Sequence, residues 1–442
     1  MRLPLAFRAL AHRNYRLFVV GQGVSLTGTW MQQTGMSWLV YDMTESPFML
    51  GAVAFCGQIP AFFLAPVAGV FSDQLDRRRT LLATQAVSML QALLLVALMW
   101  GARLEIWQLI ALSAVLGVAN AFDMPTRQAF LIDMAPSRDD LPNAIALNSS
   151  MVNLTRLIGP LLGGLAIAVG GVMACFVANA VSYVAVIAAL GAMRDLPRRP
   201  RPAEKFGFGM ASRGLVEGFA YAFGFAPIRA LLLLVAMQSL LGMPVTTLLP
   251  VFARDILRGD ATIYGLLGGA SGVGALAAAL YLAQRRSVVG LGRPIAWAAG
   301  VFGAGMILFS LSQSVILSVC VLAVTGYSMM LLLAGCNTLL QTLTDDDKRG
   351  RVISLYAMAF MGTVPVGNLI AGTLASTFGA ANAARISGCG CILGALVFAW
   401  RLPRLRQQAW PIYERAGLAP SARQAAALET AAELQAPPQR MA

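Results

Sequence analysis

The segment "NAFDMPTRQAF", Asn120 to Phe130, sets Asp123 and Arg127 four residues apart with Pro125 between them, near the end of a long apolar run. Residues at that spacing share a helical face, so a carboxylate and a guanidinium here can pair, pass a proton or hold a charged ligand. Each costs about 2.5–3.5 kcal/mol at the centre of a membrane helix, so both must face each other, other polar groups or a wet cavity. Pro125 removes a backbone donor and frees a carbonyl near Ala121, which permits a kink beside the pair. A second cation, Arg156, lies at similar depth in the next apolar run. One carboxylate between two arginines leaves one positive charge over, which favours an anionic group on a substrate. A substrate that displaced the arginines would free Asp123 to take up a proton. A salt bridge that merely holds the fourth and fifth helices together satisfies the same residues.

The elements that must position these groups follow from composition. The chain has 442 residues, of which 58% are hydrophobic and 12% charged, which excludes an ordinary soluble domain and points to an integral membrane protein. The net charge of +13 does not imply nucleic acid, because the basic residues sit in loops between apolar segments. Six cysteines without a CxxC pair and a single histidine, His12, argue against a metal site or a disulfide framework. No cofactor is expected. A nucleotide-driven pump is disfavoured by the absence of a GxxxxGK[ST] loop, and an intramembrane enzyme by the absence of HExxH or of a nucleophile beside a base. The first apolar run lacks a small-residue cleavage site and is expected to remain as a span.

A hydrocarbon layer of about 30 Å needs about 20 helical residues, and segments of that kind recur twelve times. They lie near 15–41, 48–72, 80–101, 106–133, 142–168, 171–193, 228–253, 262–284, 294–312, 315–343, 352–378 and 383–402. The predicted fold class is an all-α membrane protein with twelve transmembrane helices in two pseudo-symmetric six-helix bundles. The expected domains are 1–193, a cytoplasmic linker at 194–227 whose second part is an interfacial helix, 228–402, and a polar cytoplasmic tail at 403–442. Laying 141–171 on 349–379 without gaps matches Ile145 with Ile353, Leu147 with Leu355, Thr155 with Thr363, Gly159 with Gly367, Leu161 with Leu369, Gly164 with Gly372 and Gly171 with Gly379. Such internal repeats characterise secondary transporters. With both termini cytoplasmic, only Arg103, Arg254, Arg258 and Arg385 face outward, as the positive-inside rule requires.

Three motifs carry a family resemblance. "GVFSDQLDRRRT", Gly69 to Thr80, resembles the signature loop of the major facilitator superfamily, keeping Gly69, Asp73, Arg77, Arg78 and Arg79. Gln74 replaces the first basic residue of that pattern, and Asp76 its second glycine. The resemblance implies that Asp73 and Arg77, with Asp133, form a latch stabilising an outward-open state. "RLIGPLLGG", Arg156 to Gly164, resembles the GPxxGG motif of proton-coupled drug antiporters in that superfamily, and "YGLLGGASGVG" adds a glycine cluster in the eighth span. Gly159, Pro160, Gly163 and Gly164 are expected to meet Gly265 and Gly269 as an outer seal, because small residues let helices approach closely. A bulky residue at Gly163 would then trap the protein open to the outside. "RNYRLFVVGQGVSLTGTWMQQTGMSWLVYDMTESPFMLG", "NAFDMPTRQAFL" and "LPNAIALNSSMVNLTRLIGP" together resemble the branch containing the bacterial enterobactin exporter.

A polar stripe in the first span, Gln22, Ser25, Thr29, Gln33 and Ser37, is flanked by Trp30 and Trp38 and is expected to face a cavity. Gln22, Trp30, Gln33, Asp123, Arg127, Asn153, Arg156 and Tyr356 are the candidate substrate or proton pathway; Tyr327, Tyr356 and Phe360 could offer aromatic surface. The expected function is proton-coupled export of a small amphipathic organic molecule, siderophore-like or drug-like, by a monomer in the bacterial inner membrane. The alternative is import of a small metabolite. The expected partners are the substrate, the proton gradient and the lipid bilayer.

Overall fold

A computed structural model describes residues 5–134, 140–194, 208–285 and 287–418. After a short 3-10 turn, Leu5–Ala11, come α1 (Arg13–Thr44), α2 (Pro47–Gln74), α3 (Arg77–Trp100) and α4 (Ile106–Met134). The next helical run, Leu141–Ala192, is two helices, because Gly171 breaks it at φ 71°, ψ 176°. We call them α5 (141–170) and α6 (172–192). The helix α7 (Phe208–Gly224) precedes α8 (Ala226–Leu241), α9 (Ala261–Gln284), α10 (Gly292–Leu311), α11 (Val315–Leu343), α12 (Arg349–Phe378) and α13 (Ala380–Arg415). Gly379, the repeat mate of Gly171, has φ 85°, ψ 152° between α12 and α13, so the sequence match reappears as matched backbone geometry. Both positions need a positive φ that glycine alone adopts without strain.

Ten helices among the described residues are long and apolar enough to cross a membrane. The run 141–192 counts there once, and α1, although 32 residues long, is diluted by its polar stripe. With these two accounted for, the fold is all-α with twelve spans in two bundles of six. Helix starts follow local chemistry. Asp76, standing where the signature loop expects glycine, caps α3 by accepting a bond from Arg79 N at 2.9 Å. Asp260 caps α9 through Thr262 N and Ile263 N.

Two spans are irregular. Beyond Leu241 the seventh continues as a 3-10 turn, Met243–Leu248, and a π turn, Phe252–Ile256. The eleventh contains a π turn at Met358–Gly362. Non-helical backbone at membrane depth is tolerated where it is buried in protein or lines a cavity, and π turns concentrate at functional sites.

The sequence predicts a last span ending at Leu402; its helix α13 runs on to Arg415 through Pro403 and Pro411. Leu405, Ala409 and Tyr413, one turn apart, bury against the second bundle, and this packing outweighs the broken backbone bonds. The expected short helix near 425–434 lies outside the described residues. The linker helix α7 rests on the start of α12: Glu217 pairs with Arg351 at 2.6 Å, and the Tyr221 hydroxyl donates to Asp345 at 3.1 Å. Burial, together with the Asp345 carboxylate, pushes that hydroxyl's pKa up despite the opposing backbone bond.

Connections 74–77, 284–292 and 343–349 lie at one end of the bundle, the near face. Connections 44–47, 100–106, 256–261, 311–315 and 378–380 lie at the other, the far face.

Candidate functional site

Asp123 sits mid-way along α4, 4% exposed. Its carboxylate accepts bonds from Arg127 Nη2 at 2.9 Å, Gln85 Nε2 at 2.7 Å and Thr84 Oγ1 at 3.0 Å. Gln85 in turn accepts from Ser25 Oγ on α1 at 3.3 Å. Pro125 lies inside a helix that runs unbroken to Met134. The expected grouping of Asp123 with both arginines is therefore corrected: Asp123 points into the first bundle, where polar side chains of α3 complete its shell. It does not bond Arg156.

The stripe on α1 is corrected in the same way. Gln22 and Ser25 are buried, and Thr29 bonds back to the Ser25 carbonyl. One turn further the buried side chain is Gln32, not Gln33: it donates to Gln91 at 2.9 Å and accepts from Asn179 on α6 at 2.7 Å. Gln33 is exposed. Polar groups in lipid need partners, and for Ser25, Thr29 and Gln32 the first bundle supplies them internally. The amides Gln85, Gln91 and Asn179 went unnoticed in the sequence, although each is a polar residue inside an apolar span and so carries the signal.

Arg156 projects from α5 at the boundary between the bundles, its guanidinium carbon 5.9 Å from the centre of the Trp30 ring, a cation–π distance. Among the described residues no carboxylate lies within ion-pair distance of it. It borders a cavity of about 50 Å³, room for a few waters where one needs about 10–15 Å³. The other walls come from the second bundle, including the 3-10 residues Met243, Val245 and Thr246 of the seventh span. That broken stretch was also missed, although "GMPVTT" within an apolar run signalled it through Pro244. Asn153, one turn before Arg156, donates to its own helix at Ser149 O. Tyr356 donates to Leu333 O at 3.0 Å and stacks near Phe360, so its hydroxyl is engaged behind the cavity wall.

The glycines form two crossings between the bundles, whose closest glycine pairs, Gly164 with Gly265 and Gly372 with Gly51, lie within about six residues, or about 9 Å, of the far face. A Cβ on Gly164 would lie 2.5 Å from Ala261 O and 2.9 Å from Gly265 Cα; one on Gly265 would lie 2.6 Å from Pro160 O. Gly269 meets Leu161 and Gly268 meets Pro160. The second crossing repeats the first. A Cβ on Gly372 would lie 2.8 Å from Pro47 O and 3.1 Å from Gly51 Cα, and one on Gly51 would strike Asn368 O. Gly372 and Asn368 are the repeat mates of Gly164 and Pro160. Gly159 and Gly163, expected in this seal, pack instead on α1, against Trp30 and Thr34. They hold the first bundle together. Around the first crossing, Trp38 stacks on Tyr264 at 6.0 Å, the Tyr41 hydroxyl donates to Asp255, and Arg254 reaches Asp42 at 3.3 Å and Glu45 at 3.2 Å. These exposed ion pairs contribute about 0–1 kcal/mol each, so close backbone packing dominates the closure.

At the near face, Arg77 Nη1 donates to Asp133 Oδ2 at 2.7 Å and to Ala129 O at 3.1 Å, tying α3 to α4. Gly69 and Asp73 lie within α2, but their side chains fall outside the described residues.

The transmembrane secretion effector family matches the chain over residues 5–420. The staphyloferrin A transporter of Staphylococcus aureus is 26% identical over 373 residues, covering 84% of this chain and 92% of the relative. The multidrug efflux pump Tap of Mycolicibacterium fortuitum is 27% identical, covering 84% and 91%. Among solved structures, a bacterial homologue of the iron transporter ferroportin in its inward-facing state superposes with TM-score 0.65 at 17% identity, covering 88% and 98%. A POT family transporter gives 0.68 at 12%, covering 89% and 96%. The chain is a multi-pass secondary transporter of the major facilitator superfamily and belongs to its transmembrane secretion effector family.

Proposed function

We propose that this transporter exports a small amphipathic organic molecule across the bacterial inner membrane in exchange for protons. The observation that carries the reading is the pair of symmetric glycine crossings at the far face. They close one end of the bundle by contacts that rigid rocking of the halves would break together. Arg103, Arg254, Arg258 and Arg385 are the basic residues at that face, which supports assigning it to the outside. The structure then corresponds to a state sealed outward. The relatives named as an efflux pump and a siderophore transporter support the direction and the kind of cargo. Asp123 supports proton coupling, since it is the one acidic side chain at mid-depth of a span among the described residues.

Everted vesicles carrying the protein test this reading. An imposed inward-acid gradient is expected to drive accumulation of at least one compound from a panel of antibiotics, dyes and siderophores, and dissipating the gradient with nigericin should release it. No gradient-dependent accumulation across the panel would overturn the export reading.

A further inference from the structure

The cavity at the bundle boundary joins two unlike surfaces. Arg156 is its charged residue and comes from the first bundle; every other lining residue comes from the second. Its guanidinium rests on the Trp30 ring without a carboxylate partner among the described residues, and the mid-depth acid Asp123 is already engaged by Arg127, Gln85 and Thr84. A cation held at this depth without a counter-ion is completed by a ligand that brings one.

The opposite wall is apolar and adaptable. Met243, Met306, Met329 and Met330 line it with Phe302 and Leu333, and methionine side chains re-pack around irregular shapes. Thr246 and Thr325 also line it, and their hydroxyls donate locally, to Met243 O and Leu322 O. Ser271 also lines the space.

We infer that the cavity binds an amphipathic monoanion, with its planar oxyanion on the Arg156 guanidinium and its apolar body against the methionine wall. This deepens the proposed function and rests on it. The guanidinium presents donors in a fixed fork that matches a carboxylate with two parallel bonds. One unpaired cation selects one negative charge. The wall specifies size and greasiness rather than shape, so cargo is tolerated broadly as long as it carries the acid. Such a ligand spans both bundles, so its binding is sensitive to their relative position.

Calorimetric titration of the purified full-length protein in nanodiscs with three probes of matched size tests this: 1-naphthoate, 1-naphthylmethanol and 1-naphthylmethylammonium. The naphthoate is expected to bind about 10-fold or more tightly than the alcohol, as a charge-assisted bond predicts, with the amine weakest. Arg156→Gln should erase the difference between acid and alcohol, Arg156→Lys should keep part of it, and Met306→Trp should weaken all three. Equal affinity for acid and alcohol, an acid preference that survives Arg156→Gln, or no binding of any probe would overturn the inference. Should Arg156→Gln fail to fold, Arg156→Lys and Met306→Trp decide. No gradient is present, so a failure here is separable from failure of the export reading in vesicles.

Discussion

Asp123→Asn is expected to abolish pH-driven accumulation in everted vesicles while leaving downhill exchange of the same compound intact. The reason is positional. Every other acid among the described residues lies at the end of a span, in a connection or, as Glu217 does, on the linker helix α7, so a proton crossing by way of a described carboxylate at mid-depth must use Asp123. The substitution keeps the shape of the side chain and its bonds to Gln85 and Thr84, and removes the charge facing Arg127. Breaking a fully buried ion pair costs about 3–5 kcal/mol. The Arg127 side chain keeps 19% exposure, so the stability lost should stay below about 3 kcal/mol, small enough for the variant to insert. Energised transport at the native rate in Asp123→Asn would remove Asp123 from the proton route and return the pair to a structural salt bridge.

The second large effect belongs to the crossings. In Gly164→Leu, the Cβ alone would sit 2.5 Å from Ala261 O and 2.9 Å from Gly265 Cα, closer than packed atoms tolerate. Overpacking costs about 1–3 kcal/mol, which lowers the population of the sealed state about 5–150-fold. Gly372→Leu meets the same geometry at the symmetric crossing and should act alike. A cysteine placed at Ala261, which is 3% exposed, is expected to react with an external maleimide far faster in either variant, and energised efflux should fall. Gly163→Leu meets Thr34 on α1 and should disturb the first bundle without the same gain in labelling. Unchanged labelling in both Gly164→Leu and Gly372→Leu would show that these crossings do not gate the far face.

Span number and repeat were legible because they rest on what sequence states directly: apolar length, basic loops, and glycines whose positive φ no other residue adopts freely. Gly171 and Gly379 matched in sequence and fold the chain back in the same way. Side-chain direction was less legible. A period of 3.6 residues groups Gln22, Ser25 and Thr29 on one face, but only packing reveals that the face turns toward α3 and α6 rather than toward a cavity. Gln32 and Gln33 are neighbours 100° apart, and choosing between them needed the partners Gln91 and Asn179. The GPxxGG segment has the same lesson: Gly163 and Gly164 look equivalent in a row of small residues, yet one meets α1 and the other meets α9. The Gly51 and Gly372 crossing was half visible, since Gly372 had been matched with Gly164, but its partner on α2 carried no motif. The run of the last span's helix beyond Leu402 was illegible because the polar composition of 403–442 hides a buried stripe, Leu405, Ala409 and Tyr413, that has a surface to pack on.

Spin labels at Ser46 and Thr377 across the far face, and at Arg79 and Gln284 across the near face, test the reciprocal movement of the two ends most directly. Double electron–electron resonance in nanodiscs, in a cysteine-free background, should find the first distance lengthening and the second shortening when the pH is lowered and a transported compound is added. Two distances that change in the same direction, or that stay fixed under every condition supporting transport, would contradict alternating access about these crossings.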